Sequence, residues 1–396
     1  MRIRLKDAFD LQMGKTPARN TPSYWDGNHK WISIADIGSA GKYIATTKER
    51  ITDKAITESG IRAVPAHTVI MSFKLSIGKT AITSEEMYTN EAIMAFISNG
   101  TYAIDTDYLY HMCCGTAWTE GTNKAVMGLT LNKATLSEKR ISLPEITEQR
   151  NIAAKFDALD NVIEKTQSEL SSLDQLVKSR FVEMFGEPVT NSKGYPIHQL
   201  SDHILFLTSG SRGWAQYYTD KGEWFITIKN VKDCRISVDD VQCINPPKNA
   251  EAERTRLREG DLLISITADL GRTGVVTKEI AEHGAYNNQH LTCIRLDRLA
   301  LDPLYVAFFM ESEAGKRQFE AKNMSAVKAG LNFDSIRSLR LIVPPLALQK
   351  EFTAFVSEVD KSKFRIQKSL STSRKLWTMA QIDAIMNMDF STQRSL

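Results

Sequence analysis

The sequence predicts an α+β protein: two similar, strand-rich domains of mixed α/β structure, separated by two long antiparallel coiled-coil helices, with an internal pseudo-twofold repeat. Three observations support this prediction. A short motif at residues 143–150 recurs at 343–350, each copy opens a long heptad pattern, and the regions before the copies share one order of strand and turn motifs. Self-similarity over such a length indicates a structural unit that has been duplicated.

The recurring motif lies at an offset of 200 residues without a gap. Pro144 corresponds to Pro344, and Gln149 corresponds to Gln349. The correspondence continues at the same offset through the pairs Ala154/Ala354, Leu159/Val359, Asp160/Asp360, Leu170/Leu370 and Leu176/Leu376. Proline ends the preceding strand and is tolerated at a helix start, so each copy marks the point at which a helix begins.

The residues after each motif follow a seven-residue hydrophobic pattern, which is typical of a coiled coil. In the first copy the two seams are Phe156, Ile163, Leu170, Val177 and Met184, and Ile152, Leu159 and Leu173. In the weaker second copy they are Phe352, Val359 and Ile366, and Val356, Leu370 and Trp377. About 40 residues at roughly 1.5 Å each predict rods on the order of 60 Å long. The alternative is two unrelated amphipathic helices, each packed on its own domain, but such helices need not share a register.

These patterns divide the chain into six segments. They are a first domain at 1–142, a first helix at 143–186, a linker at 187–194, a second domain at 195–342, a second helix at 343–386 and a tail at 387–396. Within the domains, Val69–Phe73 and then Gly78–Thr80 correspond to Leu262–Ile266 and then Gly271–Thr273. The apolar runs predict buried strands that end in a glycine-containing turn. Asp302–Phe319 has the pattern of a helix.

Composition and charge set broad limits. The 396 residues are enough for two to three domains, and 42% hydrophobic with 24% charged residues is typical of a soluble globular protein. We expect a cytoplasmic protein, because the sequence has no apolar run long enough to span a membrane, no signal peptide at its start and an odd number of cysteines, five. A net charge of +3 permits a polyanionic partner without requiring one.

No catalytic motif is complete. Gly78-Lys79-Thr80 resembles the end of a phosphate-binding loop, but Phe73 stands where that loop needs its first glycine. Asn245-Pro246-Pro247-Lys248 resembles a motif of amino-methylating DNA enzymes, but Lys248 stands where an aromatic residue would stack on the base. The seven histidines show no metal-ligand spacing, so we expect no catalytic and no metal site.

Polar and basic residues lie instead on corresponding turns of the two domains. In the first domain they are Lys74, Ser76, Lys79, Thr80, Asn90, Asn123 and Lys124; in the second they are Arg212, Thr267, Arg272, Thr273, Asn287, Asn288, Gln289, His290 and Lys328. Arginine and lysine suit phosphates and guanine edges, whereas asparagine and glutamine suit adenine edges. For any one of these residues taken alone, an ordinary solvated side chain is the favoured interpretation. Their placement at matching turns favours a DNA-contacting set.

With these motifs, the chain resembles the specificity subunit of type I DNA restriction–modification systems over essentially its whole length. The strongest signature is the Pro-x-x-x-x-Gln entry to a long helix, supported by the Gly-basic-Thr turn and by Asn288-Gln289. The resemblance implies that Pro144, Glu148, Gln149, Pro344 and Gln349 take part in docking partner subunits. Two departures are present: Leu348 stands where Glu148 stands in the first copy, and Glu91 stands where Gln289 stands in the second domain.

The resemblance further implies two target-recognition domains, each in the major groove of double-stranded DNA over one half of a split sequence. The paired helices would act as a spacer and dock two methyltransferase subunits, with restriction subunits joining through the complex. S-adenosylmethionine, ATP and Mg²⁺ are then expected on the partners and none on this chain. Because the two domains differ in sequence, the target is expected to be asymmetric. The alternative is a non-catalytic scaffold whose two domains bind proteins, and the salt dependence of DNA binding would distinguish the two.

Overall fold

A computed structural model describes residues 1–74, 76–118, 131–324 and 330–386. The described residues form two compact units: those within 1–168 and 367–396 form unit 1, and those within 169–366 form unit 2. Each unit therefore combines one strand-rich domain with a part of both long helices. The predicted tail at 387–396 lies outside the described residues.

The domain of unit 1 consists of short strands and helices. The strands are β1 Arg2–Arg4, β2 Phe9–Met13, β3 Trp25–Ile32, β4 Tyr43–Ile44, β5 Glu49–Ile51, β6 Val69–Ser72, β7 Thr80–Thr83, β8 Tyr88–Thr89, β9 Ile93–Ser98 and β10 Arg140–Ser142. The helices are α1 Leu5–Ala8, α2 Ile34–Ser39, α3 Asp53–Ser59, α4 Thr106–Gly115 and α5 Lys133–Glu138, with a 3-10 turn at Pro22–Tyr24.

The main sheet of unit 1 has the strand order β2-β9-β6-β7-β4, and a second sheet has the order β5-β3-β8. All four residues of β6 are buried, as are all four of β7, so the apolar runs of the sequence form the centre of the sheet. The short pair β1–β10 brings the end of the domain back to its beginning, with Ile3 opposite Ile141.

The first long helix, α6, spans Ile146–Phe185 and has 40 residues. Of its predicted seam, Phe156, Val177 and Met184 are buried. Gly186, with φ of +79°, follows the last helical residue and donates its amide to the Val182 carbonyl 2.8 Å away. This left-handed glycine ends the helix after Phe185, one residue before the predicted end at residue 186.

The domain of unit 2 repeats this plan. Its strands are β11 Ile197–Gln199, β12 Ile204–Ser209, β13 Tyr218–Thr219, β14 Glu223–Ile226, β15 Val231–Lys232, β16 Arg235–Ile236, β17 Gln242–Ile244, β18 Leu262–Ser265, β19 Thr273–Val275, β20 Ala285–Asn287, β21 Leu291–Leu296 and β22 Arg340–Ile342. Its helices are α7 Ala250–Thr255, α8 Lys278–His283, α9 Pro303–Glu311, α10 Glu313–Met324 and α11 Phe333–Arg337, with 3-10 turns at Leu200–His203, Trp214–Tyr217 and Ile228–Asn230.

The sheets of unit 2 share their central strand order with those of unit 1, although the numbers of strands differ. The order β12-β21-β18-β19 corresponds to β2-β9-β6-β7, and the parallel pair β14–β20 corresponds to the parallel pair β3–β8. In the latter pairs Trp31 lies opposite Tyr88 and Phe225 lies opposite Tyr286. The repeat seen in the sequence is therefore a repeat of topology as well.

The helix predicted over Asp302–Phe319 is divided in two at Ser312, between α9 and α10. The Ser312 hydroxyl donates to the Phe309 carbonyl at 2.6 Å, which closes the end of α9. A β-carbon on Gly315 would lie 2.1 Å from the Met310 carbonyl oxygen, so the chain turns back closely there. Periodicity alone did not reveal this turn.

The second long helix, α12, spans Leu346–Met386. In unit 2 it packs against α6, where Phe181 and Phe352 have ring centroids 5.3 Å apart. Arg180 pairs with Glu351 at 3.1 Å, and Asp174 pairs with Lys363. Asp174 precedes Arg180 along α6, whereas its partner Lys363 follows Glu351 along α12. The two helices therefore run antiparallel there.

Candidate functional site

The turn after β6 and the turn after β18 have the same hydrogen bonds. In unit 1 the amide of Lys79 donates to the Ser72 hydroxyl at 3.0 Å, and that hydroxyl donates to the Ser76 carbonyl. In unit 2 the amide of Arg272 donates to the Ser265 hydroxyl at 2.9 Å, and that hydroxyl donates to a carbonyl of the same turn. A serine at the end of the strand thus builds both turns and presents one basic residue on each.

A second matched loop follows β8 and β20. The Asn90 side-chain oxygen accepts the amide of Ala92 at 3.0 Å, and the Asn288 side-chain oxygen accepts the amide of His290 at 3.2 Å. The two asparagines also donate their own amides to equivalent carbonyls, Ile32 and Ile226. These asparagine turns place the next residues, Glu91 and Gln289, at the same point of each domain.

A third loop, after β2 and β12, completes the site, and Arg212 is the residue of this loop that was predicted from the sequence. The Lys15 amide donates to the Thr89 carbonyl at 2.8 Å, and the Ser211 amide donates to the Asn287 carbonyl at 2.8 Å. A β-carbon on Gly14 or Gly210 would lie 2.2 Å or less from carbonyl oxygens of the second loop, so only glycine fits. Comparing Gly14-Lys15-Thr16 with Gly210-Ser211-Arg212 would have revealed Lys15, which is exposed.

In unit 2 the structure brings several predicted residues together. The Thr267 hydroxyl lies 2.8 Å from Nδ1 of His290, and the Gln289 amide nitrogen lies 3.2 Å from Nε2 of the same ring. Asn288 and His290 also line a groove of about 730 Å³. Its other polar walls include Thr219, Lys229, Asp239, Asp240 and Gln242, none of which was predicted from the sequence.

Three predicted contact residues are instead buried in their own domain. Thr273 is fully buried, and its hydroxyl donates to Ala307 at 3.1 Å and lies 3.0 Å from Glu311. Asn287 is fully buried and donates to the Leu291 carbonyl at 2.7 Å. Thr80 is 9% exposed and donates to the Gly78 carbonyl at 3.0 Å. These side chains support the turns, so a direct role for them in contacting DNA is not supported here.

The remaining predicted residues are more accessible. Ser76, Lys79 and Arg212 are exposed, and Lys74 and Arg272 are half-buried. Arg272 is paired with Asp269 at 2.5 Å within its own turn. The predicted residues Asn123, Lys124 and Lys328 lie outside the described residues.

The two glutamines predicted to dock partners face their own domains. Gln149 is 1% exposed, and its amide nitrogen donates to the carbonyls of Pro144 at 2.9 Å and Ala103 at 3.0 Å. Its oxygen accepts the amide of Asp105, the residue that caps α4, at 2.9 Å. Since all the hydrogen-bonding groups of this amide are engaged internally, the docking role predicted for it has no support here.

Gln349 makes the same contacts in unit 2 and is fully buried. It donates to the carbonyls of Pro344 at 2.8 Å and Ala300 at 3.2 Å, and it accepts the amide of Asp302, the cap of α9, at 2.9 Å. Pro344 is buried as well. Of the five residues predicted for docking, Pro144 is half-buried and Glu148 is exposed on the first turn of α6.

Each long helix is also bound to its own domain by ionised side chains further along. In unit 1 the Lys42 ammonium lies 2.6 Å from Asp157 of α6 and 2.8 Å from Asp107, and Nε2 of His111 lies 2.8 Å from Asp157. Burial lowers the pKa of His111, although its bond to Asp157 opposes that shift. In unit 2 the Arg235 guanidinium binds Asp360 of α12 through two bonds, at 2.6 and 2.9 Å.

Among the described residues no group of three or more histidine, cysteine, aspartate or glutamate side chains is arranged to hold a metal ion. No helix in the described part of the chain is long and apolar enough to cross a membrane.

Comparison with known proteins decides the family. The family model "Type I restriction modification DNA specificity domain" matches residues 1–174 and 240–373, which is more than half of the chain. The chain belongs to this family. The type I restriction enzyme MjaIX specificity subunit of Methanocaldococcus jannaschii is 22% identical over 394 residues, covering 94% of this chain and 89% of that protein.

Other type I restriction-modification proteins are similar to this chain in sequence or in fold. The EcoR124I/EcoR124II specificity subunit of Escherichia coli is 27% identical over 164 residues, 38% of this chain and 39% of that protein. The crystal structure of a type I restriction-modification S subunit from M. genitalium covers 97% of this chain and 96% of its own, with a TM-score of 0.57 and 12% identity. A chain from a structure concerning complex assembly and conformational transition of the type I R-M system covers 97% of both chains, with a TM-score of 0.59 and 16% identity.

These findings confirm the family, the α+β fold class and the prediction that the chain is the DNA specificity subunit of a type I restriction-modification system rather than its catalytic component.

Proposed function

We propose that this specificity subunit recognises a split, asymmetric sequence of double-stranded DNA, with the domain of each unit recognising one half. The observation that carries the proposal is the set of three matched loops, which follow the same three strands in both domains and present polar and basic side chains. Basic residues suit the DNA backbone, and amide side chains suit base edges. Because Glu91 corresponds to Gln289 and Lys15 to Ser211, the two domains offer different chemistry and would select different half-sites.

The groove of unit 2 supports recognition of bases rather than phosphates at that point. Asp220, Asp239 and Asp240 line it together with Asn288 and Gln242. Carboxylates repel the phosphate backbone, but they accept hydrogen bonds from the amino group of cytosine, and asparagine and glutamine bind adenine. Arg212 and Lys79, both exposed, are better suited to phosphate contacts.

Partners and cofactors complete the proposal. The long helices would dock two methyltransferase subunits, through which restriction subunits join the complex. S-adenosylmethionine, ATP and Mg²⁺ would be bound by those subunits and not by this chain. The exposed first turn of α6, with Glu148, offers a polar contact for such docking. A location in the cytoplasm, where the DNA and these partners are found, fits this role.

Salt titration of DNA binding tests the proposal. The logarithm of the binding constant should fall linearly with the logarithm of salt concentration, with a slope of about −0.9 for each phosphate neutralised. Replacing Lys79 or Arg212 by alanine should reduce that slope by about 1. Lys155→Ala, an exposed lysine on α6, is the matched control and should leave the slope unchanged. A DNA-binding constant that does not change with salt concentration would favour the protein scaffold instead. So would an assembled complex that binds DNA of no sequence.

A further inference from the structure

We propose that each recognition domain is fixed to its long helix by a two-point clamp, and that these clamps set the separation of the half-sites that the protein accepts. The first point is the buried glutamine of each helix, Gln149 or Gln349. The second point is the ion pair further along, Lys42–Asp157 in unit 1 and Arg235–Asp360 in unit 2. The inference rests on the proposed function, since it concerns the spacing of a split DNA target.

The first point is built alike in both units. Each glutamine bonds to the proline carbonyl before its own helix and to two backbone groups of the loop that leads into α4 or α9. A tyrosine of the same domain helix adds another bond: Tyr108 donates to the Ser142 carbonyl at 2.9 Å, and Tyr305 donates to the Ile342 carbonyl at 2.9 Å. The start of each rod is thereby fixed in position.

A single fixed point leaves a rod free to pivot, whereas a second point along its axis fixes its direction. Asp157 follows Gln149 by eight residues, which is about 12 Å along the helix, and Asp360 follows Gln349 by eleven residues, about 16 Å. In unit 2 both bonds of the Arg235 fork reach the same carboxylate, which restricts rotation as well as distance. In unit 1 Asp157 accepts from both Lys42 and His111.

These side chains are positioning residues, because none of them lies in the three loops proposed to contact DNA. Loosening a clamp should therefore leave the base preference of each half-site unchanged. It should instead broaden the range of separations that the protein tolerates, because a pivoting domain can reach half-sites at neighbouring positions. A merely structural role would lower affinity equally at all separations.

The experiment measures binding of the full-length chain, assembled with its methyltransferase partner, to DNA duplexes with fixed half-sites and separations varied one base pair at a time. The variants are Gln349→Glu, which places a carboxylate oxygen against two carbonyls, and Arg235→Met, which removes the second point. Gln175→Glu, an exposed position on α6, and Lys361→Met, an exposed position on α12, are the controls. Arg235→Lys retains the charge but not the fork.

We expect Arg235→Met to reduce discrimination against a separation changed by one base pair by about tenfold, the loss of one charge-assisted pair. Arg235→Lys should restore part of it, and the controls should match the wild type. If Gln349→Glu fails to fold, Arg235→Met at the partly exposed second point still decides the matter. Unchanged discrimination with weaker binding at every separation would overturn the clamp while leaving DNA recognition intact. Wild-type protein that binds no DNA would instead overturn the proposed function.

Discussion

Asp160 and Asp360 occupy the same position of the repeat but have different roles. Asp360 in unit 2 binds Arg235 through two bonds. Asp160 in unit 1 lies 3.9 Å from Nδ1 of His111, too far for a hydrogen bond, and burial raises its pKa. The domain of unit 1 is bound instead through Asp157, one helical turn earlier. Both copies of the unit therefore have a second point of attachment, but its position differs by one helical turn and different residues form it.

The first points of attachment show the opposite. Gln149 and Gln349 have equivalent partners at nearly the same distances, including the residues that cap α4 and α9. A buried primary amide must satisfy two donors and an acceptor at once, and few substitutions can do so. An ion pair near the surface can be replaced by another a turn away, because its geometry is less restricted. The glutamine contacts are therefore the same in both units because a buried amide has few possible replacements, whereas the ion pairs differ because they have more.

A buried ion pair that unit 1 lacks provides the largest expected difference in stability. Asp261 is fully buried and directly precedes β18, and it accepts two hydrogen bonds of 2.7 Å each from Arg295 of β21. In unit 1 the position equivalent to Arg295 is occupied by Ile97. Replacing Arg295 by methionine leaves that carboxylate unpaired and should destabilise unit 2 by about 3 kcal/mol. Hydrogen exchange of the β18 and β21 amides measures the loss.

Ile97→Met in unit 1 is the matched control for that experiment and should cost less than about 1.5 kcal/mol. If Arg295→Met proves as mild as the control, the pair does not stabilise unit 2.

Exchanging the differing residues of the second loop should change DNA affinity in opposite directions. Gln289→Glu introduces a carboxylate into the unit 2 site and should weaken binding about fivefold, whereas Glu91→Gln should strengthen it by a similar factor. Both changes preserve shape, so charge is the variable. The measurement is binding of the assembled complex to its target at two salt concentrations. A change of the same sign in both variants would argue that the loops of the two domains are not equivalent in function.

Acidification should affect unit 1 through His111. This ring faces Asp157 and Asp160 of α6, Lys42 and the neighbouring Tyr110, and its pKa lies below the ordinary value of 6.5, chiefly because it is buried. Below pH 6.5 the unfolded chain therefore binds a proton at this position that the folded chain does not, so stability falls as the pH drops. One such group contributes at most about 1.4 kcal/mol per pH unit.

Thermal unfolding of the wild type and of His111→Gln between pH 7.5 and 5.5 checks this prediction. The glutamine can still donate to Asp157 but does not titrate, so the variant should lose less stability on acidification than the wild type. His203 in unit 2, whose pKa is also lowered by burial, contributes equally to both proteins. Parallel pH profiles would show that His111 does not report on the unit 1 clamp.

The sequence was informative where the signal is local or repeated. The offset of 200 residues predicted the long helices and the duplication, and the Gly-basic-Thr motif predicted turns that the structure shows with matching bonds. It could not give the strand order, because each central strand pairs with segments far along the chain. Nor could it show that Gln149 is buried, since its partner Asp105 lies 44 residues away.

The same limit applies to the candidate site. The sequence could not separate Thr273, which supports a turn through Glu311, from Arg272 beside it. The groove residues Thr219 and Gln242 belong to no sequence motif. They line the same groove as Asn288 because β13, β17, β14 and β20 pair in one sheet. Side chains that converge from distant segments become visible only when the fold is known.

Mapping DNA methylation tests the central claim most directly. Cells would carry the methyltransferase partner with either the wild-type chain or a chain whose residues 1–142 come from a relative. We predict one split, asymmetric motif with the wild type, and a motif in which only one half has changed with the exchanged domain. A change in both halves, or methylation that does not depend on this chain, would contradict the account.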